Sequence, residues 1–568
     1  MIAKIVAGNL RVQNRMDMSE IYDVVVLGSG IGGLSASLAA HQFGLSSIVL
    51  EKAEALGGGT CYSYGLIWVG SNHLAAKAGY TDSEEDVLAY MRFLCGGEGD
   101  DDRMQAFLDH APEMLRFYEA AGVRFRLVEG LTDHYYGIAP GGRQEGRSLE
   151  AELIAGTELG SFQHKLVLPP TTPWHVTAEE QIRWGGMNRE SEWDADLMAE
   201  RRRLDMRGMG VGLVSQFLKA LLDRLIPIET DVTTERLLVE DGTVTGVVLA
   251  DGRRLLARKG VILATGGYEA NPEMVANFER LPGWRSQFPP GVTGDGLVLG
   301  AELGAAVRVI QNNMQLFLGI EVPGENNQPS SIHLAGIIEL CSPHTVVVNR
   351  DGSRFADESY FQGMVQALRS FDIARHDYAN LPCYLIFDRR YAEAYSFAGL
   401  PSGAPMPSWI ARSDTLSGLA DQLGIDSVGL SATLERFNVM AEGGVDEDFG
   451  RGKAHWKLVR GAGDAGRNPN LGPVSEPPFY GLELHPTGAG AAGLLTDTLS
   501  RVMHLRGQPI PGLYAIGNAA AHTEYGTGYQ AGLSLASAMT FSYLTAGHLA
   551  GTNAEQGIVR GKPPLTRL

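Results

Sequence analysis

The feature that most constrains this chain is a glycine-rich turn between two short apolar strands near its start. The run Tyr22–Leu27 (YDVVVL) is apolar and β-branched, which predicts a buried strand. It is followed by GSGIGG at residues 28–33, by a small-residue segment typical of a helix, and by a second apolar run ending at Glu51. Strand, turn, helix and strand with a terminal acid span about 30 residues, the layout of a dinucleotide-binding βαβ unit.

Each residue type in this turn has a physical reason to be there. Gly28 permits the tight turn, Gly30 lets the backbone approach a pyrophosphate, and Gly33 allows close packing of helix on sheet. The helix N-terminus offers unpaired N–H groups and a positive dipole to the phosphates. Glu51 can accept a hydrogen bond from a ribose hydroxyl. The segment therefore predicts a dinucleotide site.

Two further matches to GxGxxG carry less weight. The match at residues 461–466 precedes Arg-Asn-Pro-Asn, which cannot open a helix, so it predicts a loop. The match at residues 488–493 follows a plausible strand, YGLELH, but no strand ending in an acid follows at the right distance. A second site of NAD(P) type is therefore the weaker interpretation.

Composition excludes several classes of protein. The 568 residues carry a net charge of −19, which argues against a nucleic-acid footprint. Glycine is abundant, at 72 residues, without any short repeat, which suggests many tight turns and close approaches of backbone to ligand. No transmembrane segment and no cluster with metal-ligand spacing is expected. The cysteines, which form no C-x-x-C pair, fit a reducing compartment, and we expect a cytoplasmic protein; they are Cys61, Cys95, Cys341 and Cys383.

Three later segments predict a ligand that is longer than one nucleotide and continues beyond the ribose. A glycine-rich loop (GGGT, residues 57–60) follows Glu51, and two apolar strands end in small residues at 260–267 (GVILATGG) and 512–518 (GLYAIGN). A helix predicted over Leu533–Leu549 comes next. These features resemble the glutathione-reductase-like FAD fold, in which the last helix directs its N-terminus at the flavin. The resemblance implies FAD, bound non-covalently because the 57–65 loop contains no histidine.

The resemblance implies an α/β fold with a Rossmann FAD domain and an inserted α+β catalytic lid domain. We expect the FAD domain over 20–300 and 476–555, and the inserted domain over 301–475. The residues expected to bind FAD are Gly28, Ser29, Gly30, Gly33, Glu51, Lys52, Gly58, Gly59, Thr60, Val232, Ala264, Thr265, Gly266, Asp295, Gly517, Asn518, Leu533 and Ser534.

Scattered motifs resemble the fumarate reductase/succinate dehydrogenase flavoprotein superfamily, and within it the 3-ketosteroid Δ1-dehydrogenase group. Their order and spacing over nearly the whole chain are more specific than any one of them. They are PGG…GRS at 140–148, VNRDGSRFADES at 348–359, FN at 437–438 with GVDEDFGRG at 444–452, PFY at 478–480, the loop at 488–494, and AMTF at 538–541.

In that group a cyclic ketone loses two hydrogens beside its carbonyl. A tyrosine and a glycine amide bind the ketone oxygen, a second tyrosine removes the α-proton with another assisting, and the β-hydrogen leaves as hydride to flavin N5. Carried to this chain, the oxygen-binding pair is Tyr529 and Gly532, shifted by one position from the family spacing. Tyr360 is the nearest residue to the family's base, and Tyr135 or Tyr136 fills the assisting role.

The resemblance therefore implies an FAD-dependent α,β-dehydrogenase of a cyclic ketone, either a 3-ketosteroid or a smaller alicyclic ketone. Its partners would be that small molecule and an electron acceptor, left open between a quinone and an electron-transfer protein. A fumarate-reductase-like ene reductase and a non-catalytic flavin-binding protein are the alternatives.

Several charged residues have two interpretations. His522 and Glu524 either contact substrate or hold their loop. Arg451 matches a segment that carries a proton-donating arginine in fumarate reductases, but a structural pairing is favoured here. The charge run Glu98–Arg103 predicts a solvated helix start.

Overall fold

A computed structural model of the protein describes residues 20–170, 173–186, 190, 192–311, 313, 315–324, 329–334, 339–453 and 468–552. The glycine match at 461–466 lies outside these residues. Two large sheets, one of eight strands and one of six, organise the described chain.

The eight-stranded sheet has a parallel centre built on the predicted first strand. Glu20–Leu27 lies between Arg254–Leu263 and Ser47–Leu50, and Val24, Val25 and Val26 are fully buried. Buried, β-branched runs of this kind suit a parallel strand covered on both faces. The remaining parallel strands are Pro509–Ala515 and Ile228–Glu229, and the antiparallel additions are Thr234–Glu240, Thr243–Leu249 and Arg501–Met503.

The six-stranded sheet is antiparallel and comes mainly from the predicted inserted domain. Its strands are Leu316–Val322, Ser331–Leu334, Thr345–Asn349, Cys383–Asp388, Ala411–Ser413 and Phe479–Gly488. Phe479–Gly488 pairs with three of the other strands, so sheet membership assigns it to this second unit. The PFY motif begins this strand, which follows the boundary expected at residue 476 and pairs within the second sheet.

The glycine match at 488–493 is not a second βαβ unit. Phe479–Gly488 runs antiparallel to its neighbours, and Ala492–Leu494 follows after three residues and pairs antiparallel with Val307–Val309. No helix opens between them. Three smaller sheets complete the described strands: Ile67–Trp68, Ser148–Ala151 and Phe125–Leu127; Phe371–Asp372 with Asp377–Tyr378; and Ile154–Ala155 with Met206–Arg207.

Helices cover both sheets. Ile31–Gln42 and Leu533–Ala550 pack against each other, and their small residues let the Ser35 and Ser542 hydroxyls meet at 2.8 Å. The other helices are His73–Lys77, Glu84–Cys95, Asp101–Ala120, Ala178–Arg183, Ala195–Arg203, Met209–Leu222, Pro272–Phe278, Asp295–Glu302, Phe361–Leu368, Arg389–Ala394, Leu416–Leu423 and Ser427–Gly443. Among these described elements, none has the length and apolar character needed to cross a membrane.

Candidate active site

A cavity of about 570 Å³ is lined by residues of both sheets. On one side are the carboxyl ends of the parallel strands, the place where open α/β sheets bind ligands. On the other side are Gln315, Phe317, Leu334 and Ala489, which belong to the second sheet or its connections. The cavity therefore joins the predicted dinucleotide site to the inserted domain.

The glycine turn has the backbone that its sequence demands. Gly28 has φ +102°, and a Cβ there would lie 2.3 Å from the carbonyl oxygen of Ala264 on the neighbouring strand. A Cβ on Gly33 would lie 1.9 Å from the oxygen of Gly28, so only glycine allows this approach of helix to strand. Gly30 precedes the first helical residue and gives the helix no side-chain cap. The turn thus presents helix N–H groups to the cavity.

The acid at the end of the second strand is fixed against the same turn. Glu51 lines the cavity; its Oε2 accepts from the Ser29 amide at 3.0 Å and hydroxyl at 2.7 Å. Its Oε1 accepts from the Ala53 amide at 2.9 Å. A carboxylate has about four acceptor positions, so Glu51 keeps capacity for a ligand hydroxyl. Beside it, Lys52 pairs with Asp295 at 2.7 Å.

Most residues expected to bind FAD lie together on this cavity. Two of the set do not line it: Gly33, whose contact is with the strand, and Leu533, which is buried at the start of the last helix. The remaining members that line the cavity are Gly28, Ser29, Gly30, Glu51, Lys52, Gly58, Gly59, Thr60, Val232, Ala264, Thr265, Gly266, Asp295, Gly517, Asn518 and Ser534.

A second helix N-terminus reaches the cavity from the far end of the sequence. Gly532 precedes the Leu533–Ala550 helix with φ +90° and provides no side-chain cap. Its oxygen accepts from the Trp68 amide at 3.1 Å, and a Cβ on Gly532 would lie 2.8 Å from that amide nitrogen. The glycine is required by this close approach of two backbones, which holds the helix start at the cavity wall.

Three of the tyrosines singled out from sequence come together beside the cavity, which Tyr529 lines and which Tyr135 and Tyr360 do not. Tyr529 lines it and packs edge-on against Phe317, with ring centroids 5.2 Å apart. Tyr360 packs against the same Phe317. Tyr135 lies behind them, edge-on to Tyr360 with centroids 6.1 Å apart. Residues from three distant segments therefore form one aromatic cluster, which we call the tyrosine cluster: Tyr135, Tyr360 and Tyr529.

Hydrogen bonds within the tyrosine cluster make its members unequal. Burial raises the pKa of Tyr135 to about 12, while hydrogen bonds from the Tyr529 amide and the Tyr360 hydroxyl act in the opposite direction. Burial, the nearby Tyr135 and the hydrogen bond between the two hydroxyls all raise the pKa of Tyr360. Negative charge is therefore stabilised on Tyr135 in preference to Tyr360. Tyr136, the other assisting residue considered, is half-buried and does not line the cavity.

His134 is a cavity-lining residue that the sequence did not single out. It is 3% exposed, its ring packs edge-on against Tyr529 with centroids 5.1 Å apart, and its Nδ1 lies 2.8 Å from the Gln362 side chain. The feature of the sequence that could have indicated a site role for His134 is its position directly before Tyr135. That signal is weak, because neighbouring residues on an irregular segment do not predictably face the same way.

A buried ion-pair network fixes the segment that carries His134 and Tyr135. The Asp133 carboxylate accepts from Arg147 at 2.9 Å and from the Trp68 indole at 2.8 Å, and Arg147 also binds Asp82 at 2.7 Å. Arg147 is 1% exposed and is the arginine of the GRS motif. Burial raises the pKa of Asp133, and the charge of Arg147 opposes that rise. The motif residue thus has a positioning role.

The prediction that the charged run Glu98–Arg103 faces solvent is wrong for Arg103, which forms a second buried ion pair. The helix does start there, at Asp101 with Asp100 as its N-cap, but Arg103 is 2% exposed. Its guanidinium contacts Glu524 at 3.2 Å and lies over the ring of Phe541 at 3.8 Å. Glu524 does not line the cavity, which favours the interpretation that it fixes its loop over the interpretation that it contacts substrate.

Arg451 and His522 also lie off the cavity. The Arg451 guanidinium pairs with Glu358 at 3.1 Å and donates to the carbonyl oxygens of Thr345 and Ser342, both at 2.7 Å. His522 contacts the Asn518 side chain at 3.1 Å. Arg451 is therefore a structural residue of the inserted domain. Among the described residues, no cluster of histidine, cysteine and carboxylate side chains could hold a metal ion.

The residues present fit an extended dinucleotide. A glycine cradle and a helix N-terminus, where Thr60 accepts from the Ile31 amide at 3.0 Å and Gly32 lines the cavity, suit a pyrophosphate, and Glu51 suits a ribose. The cavity continues to a second uncapped helix N-terminus, which suits the negative charge that a reduced flavin carries. The fold and the cavity therefore define a flavin-dependent α/β oxidoreductase.

Comparison with known proteins agrees with this class. The family model described as FAD binding domain matches residues 23–535, and the chain belongs to that family. It is 34% identical over 545 residues to 4-oxocyclohexanecarboxylate 2-dehydrogenase of Sinomonas cyclohexanicum, covering 94% of this chain and 93% of the relative. It is also 34% identical over 566 residues to 3-oxosteroid 1-dehydrogenase of Mycobacterium tuberculosis (strain ATCC 25618 / H37Rv), covering 93% and 98%.

The solved structures agree as well. The crystal structure of 3-ketosteroid Δ1-dehydrogenase from Sterolibacterium denitrificans superposes with a TM-score of 0.85 at 30% identity, covering 94% of this chain and all of that one. These findings confirm the predicted superfamily, the fold class, the cofactor FAD and the assignment as an oxidoreductase.

Proposed function

We propose that this protein removes two hydrogens from the carbon atoms α and β to the carbonyl of a cyclic ketone, using FAD as oxidant. The observation that carries the proposal is the tyrosine cluster, in which Tyr529 lines the cavity, packs with Tyr360 on Phe317, and has Tyr135 edge-on to Tyr360. The relatives named above, which act on 4-oxocyclohexanecarboxylate and on 3-oxosteroids, support a cyclic ketone as substrate.

Binding of the ketone oxygen falls to Tyr529 and Gly532. Both line the cavity, and the amide of Gly532 belongs to the start of the Leu533–Ala550 helix, where the dipole is positive. A hydroxyl and an amide directed at a carbonyl oxygen stabilise the negative charge that develops when the neighbouring C–H bond ionises. Packing against His134 and Phe317 fixes the ring of Tyr529.

Removal of the α-proton falls to the pair Tyr135 and Tyr360. The Tyr529 amide and the Tyr360 hydroxyl act on Tyr135 to lower its pKa against the effect of burial, so Tyr135 is the member that holds the phenolate. Tyr360 takes the α-proton as it passes its own hydroxyl proton to the Tyr135 phenolate, and both tyrosines end neutral. The electron pair of the broken C–H bond stays on the substrate as an enolate, whose oxygen Tyr529 and Gly532 bind. Burial of the cluster excludes water, which strengthens these contacts. FAD, when bound, supplies the acceptor for the hydride lost from the β-carbon.

The residues of the cavity disfavour a fumarate-reductase-like activity. A dicarboxylate needs cationic partners, and among the described residues that line the cavity the lysine or arginine is Lys52, which is already paired with Asp295 on the dinucleotide side. Arg451, the residue of the matching segment, is buried elsewhere. We further propose a reducing compartment such as the cytoplasm, consistent with four buried free cysteines, and a quinone or an electron-transfer protein as the physiological acceptor.

A steady-state assay tests the proposal and narrows the ring system. The FAD-loaded protein is incubated with an artificial electron acceptor and either a 3-oxo-4-ene steroid, 4-oxocyclohexanecarboxylate or cyclohexanone. Formation of a conjugated enone or dienone, seen by its ultraviolet absorbance, identifies the substrate class. Turnover of fumarate with a reduced dye, and none of any ketone, would establish the ene reductase instead. Stable FAD with no turnover in either direction would identify a binding protein.

A further inference from the structure

A buried carboxyl that no step above uses lies where the dinucleotide domain meets the second sheet. Glu269 follows the strand Arg254–Leu263, is 2% exposed, and lines the cavity. Its Oε1 accepts from the Gly490 amide at 2.8 Å. Within the described part of the chain, its Oε2 has no hydrogen-bond partner. Because a buried polar atom left unpaired is costly, such an atom on a cavity wall indicates a ligand contact.

The second glycine match, at residues 488–493, explains how this acid is held. Its successive amides bind two acids and a tyrosine: Gly490 donates to Glu269, Ala491 to Glu279 at 2.7 Å, and Ala492 to the Tyr268 hydroxyl at 3.0 Å. The segment therefore fixes internal groups and has no amide left for a second nucleotide at these three positions.

The two acids differ in their surroundings. Glu279 accepts from the Tyr268 hydroxyl at 2.6 Å and pairs with Arg369 at 3.5 Å, and it does not line the cavity. Among the residues that the structure describes, Glu269 pairs with no such cation, and the charged neighbour that acts on it is Glu279. Burial, with a smaller contribution from Glu279, raises the pKa of Glu269 to about 7. Near neutral pH a large fraction of Glu269 is thus a neutral acid that can donate as well as accept.

We propose that Oε2 of Glu269 is a contact for bound FAD and donates a hydrogen bond to it as a neutral acid. The position favours FAD over the ketone, because Glu269 is two residues from Gly267 on the strand end that also supplies Ala264, Thr265 and Gly266 to the cavity. A Cβ on Gly267 would lie 2.6 Å from Oε1 of Glu269, so the glycine leaves room for the carboxyl.

FAD binding to the apoprotein tests this proposal without any turnover. The Kd is measured by quenching of FAD fluorescence from pH 6 to pH 9 for the wild type, Glu269→Gln, Glu269→Ala and the matched control Glu279→Gln. We expect the wild-type Kd to rise about tenfold over this range as the acid ionises and its donor is lost. Glu269→Gln keeps a donor at every pH, so its Kd stays constant. Glu269→Ala weakens binding about tenfold at pH 6. Glu279→Gln keeps a rise of the same size, displaced to lower pH because the charge of Glu279 contributes to the pKa of Glu269.

The proposal fails if folded Glu269→Ala, with wild-type circular dichroism, binds FAD with the wild-type Kd and pH dependence. It also fails if Glu269→Gln retains the full rise in Kd with pH, and this comparison decides the matter even if the alanine variant does not fold. A lower melting temperature of the apoprotein with unchanged FAD binding would show that Glu269 only holds Gly490.

Discussion

Tyr135 and Tyr360 pack edge-on with ring centroids 6.1 Å apart, although 224 residues of sequence separate them. Tyr360 and the Tyr529 amide both lower the pKa of Tyr135 against the effect of burial. The pair therefore forms a buried site at which negative charge is stabilised on the Tyr135 oxygen, beside the cavity-lining Tyr529. This relationship is the basis of the proposed proton transfer.

We expect Tyr135→Phe and Tyr360→Phe each to lower kcat for the ketone by about 10²–10⁴-fold, the usual contribution of a positioned acid or base. KM should change less than kcat, because neither hydroxyl binds the carbonyl. In the wild type kcat should rise with pH, since the phenolate fraction grows below a pKa of about 12, and the rise should disappear in Tyr135→Phe. Steady-state kinetics from pH 6 to 9 measures this. Tyr136→Phe, at a half-buried tyrosine outside the tyrosine cluster, is the control, and an equal loss there would contradict the assignment.

Loss of the Tyr529 hydroxyl should remove carbonyl binding without disturbing the fold. Tyr529→Phe retains the ring that packs on His134 and Phe317, so the melting temperature should stay unchanged. kcat/KM should fall by about 10²–10³-fold, as for loss of one oxyanion donor. Tyr384→Phe, a buried tyrosine of the second sheet, serves as the matched control. Wild-type kcat/KM in Tyr529→Phe would exclude this hydroxyl from the mechanism.

The Arg103–Glu524 pair should stabilise the protein strongly and in a pH-dependent way. Removing one partner of a buried pair costs about 3–5 kcal/mol, so Glu524→Gln should unfold at markedly lower denaturant concentration. The pKa of Glu524 is lowered to about 2, with the charge of Arg103 as the main cause opposing burial. Its stabilisation is therefore complete above the ordinary carboxyl pKa of 4.5 and is lost as pH falls from 4.5 towards 2. If the wild type and Glu524→Gln lost stability equally as the pH falls, this prediction would be wrong. Glu200→Gln, which removes a charge from an exposed pair, should change neither the stability in denaturant nor its pH dependence.

A single methyl group in the glycine turn should weaken FAD binding selectively. A Cβ on Gly30 would meet the Thr60 hydroxyl at 3.4 Å and the Gly57 carbonyl oxygen at 3.9 Å, so Gly30→Ala should fold, yet the methyl group would occupy the wall expected to face the pyrophosphate. We expect the FAD Kd to rise at least about tenfold. Gly443→Ala, where a Cβ would meet nothing within 4 Å, is the control. An unchanged Kd in Gly30→Ala would show that the cofactor does not approach this residue.

The sequence predicted best what is encoded locally. The turn at residues 28–33, the acid at Glu51 and the helix starting at Leu533 each depend on a few adjacent residues, so spacing and residue type were sufficient. The expected FAD set lies on one cavity because those strand ends share an edge of one sheet.

The errors and omissions concern contacts between distant segments. Arg103 looked solvated because its partner, Glu524, lies 421 residues away. His134 and Glu269 carried no motif, and only the fold shows that they line the cavity. The pairing of Phe479–Gly488 was equally hidden, because its partner strands lie far earlier in the chain, at Leu316–Val322, Cys383–Asp388 and Ala411–Ser413.

An anaerobic titration of the purified FAD-loaded protein with cyclic ketones tests the central claim most directly. Absorbance of the visible flavin band is followed while a 3-oxo-4-ene steroid, and separately 4-oxocyclohexanecarboxylate, is added without any electron acceptor. The account predicts that at least one ketone bleaches the band with one equivalent of unsaturated ketone formed per flavin, and that Tyr135→Phe bleaches far more slowly. If neither ketone bleaches it, while fumarate reoxidises the chemically reduced protein, the ketone dehydrogenase assignment is wrong.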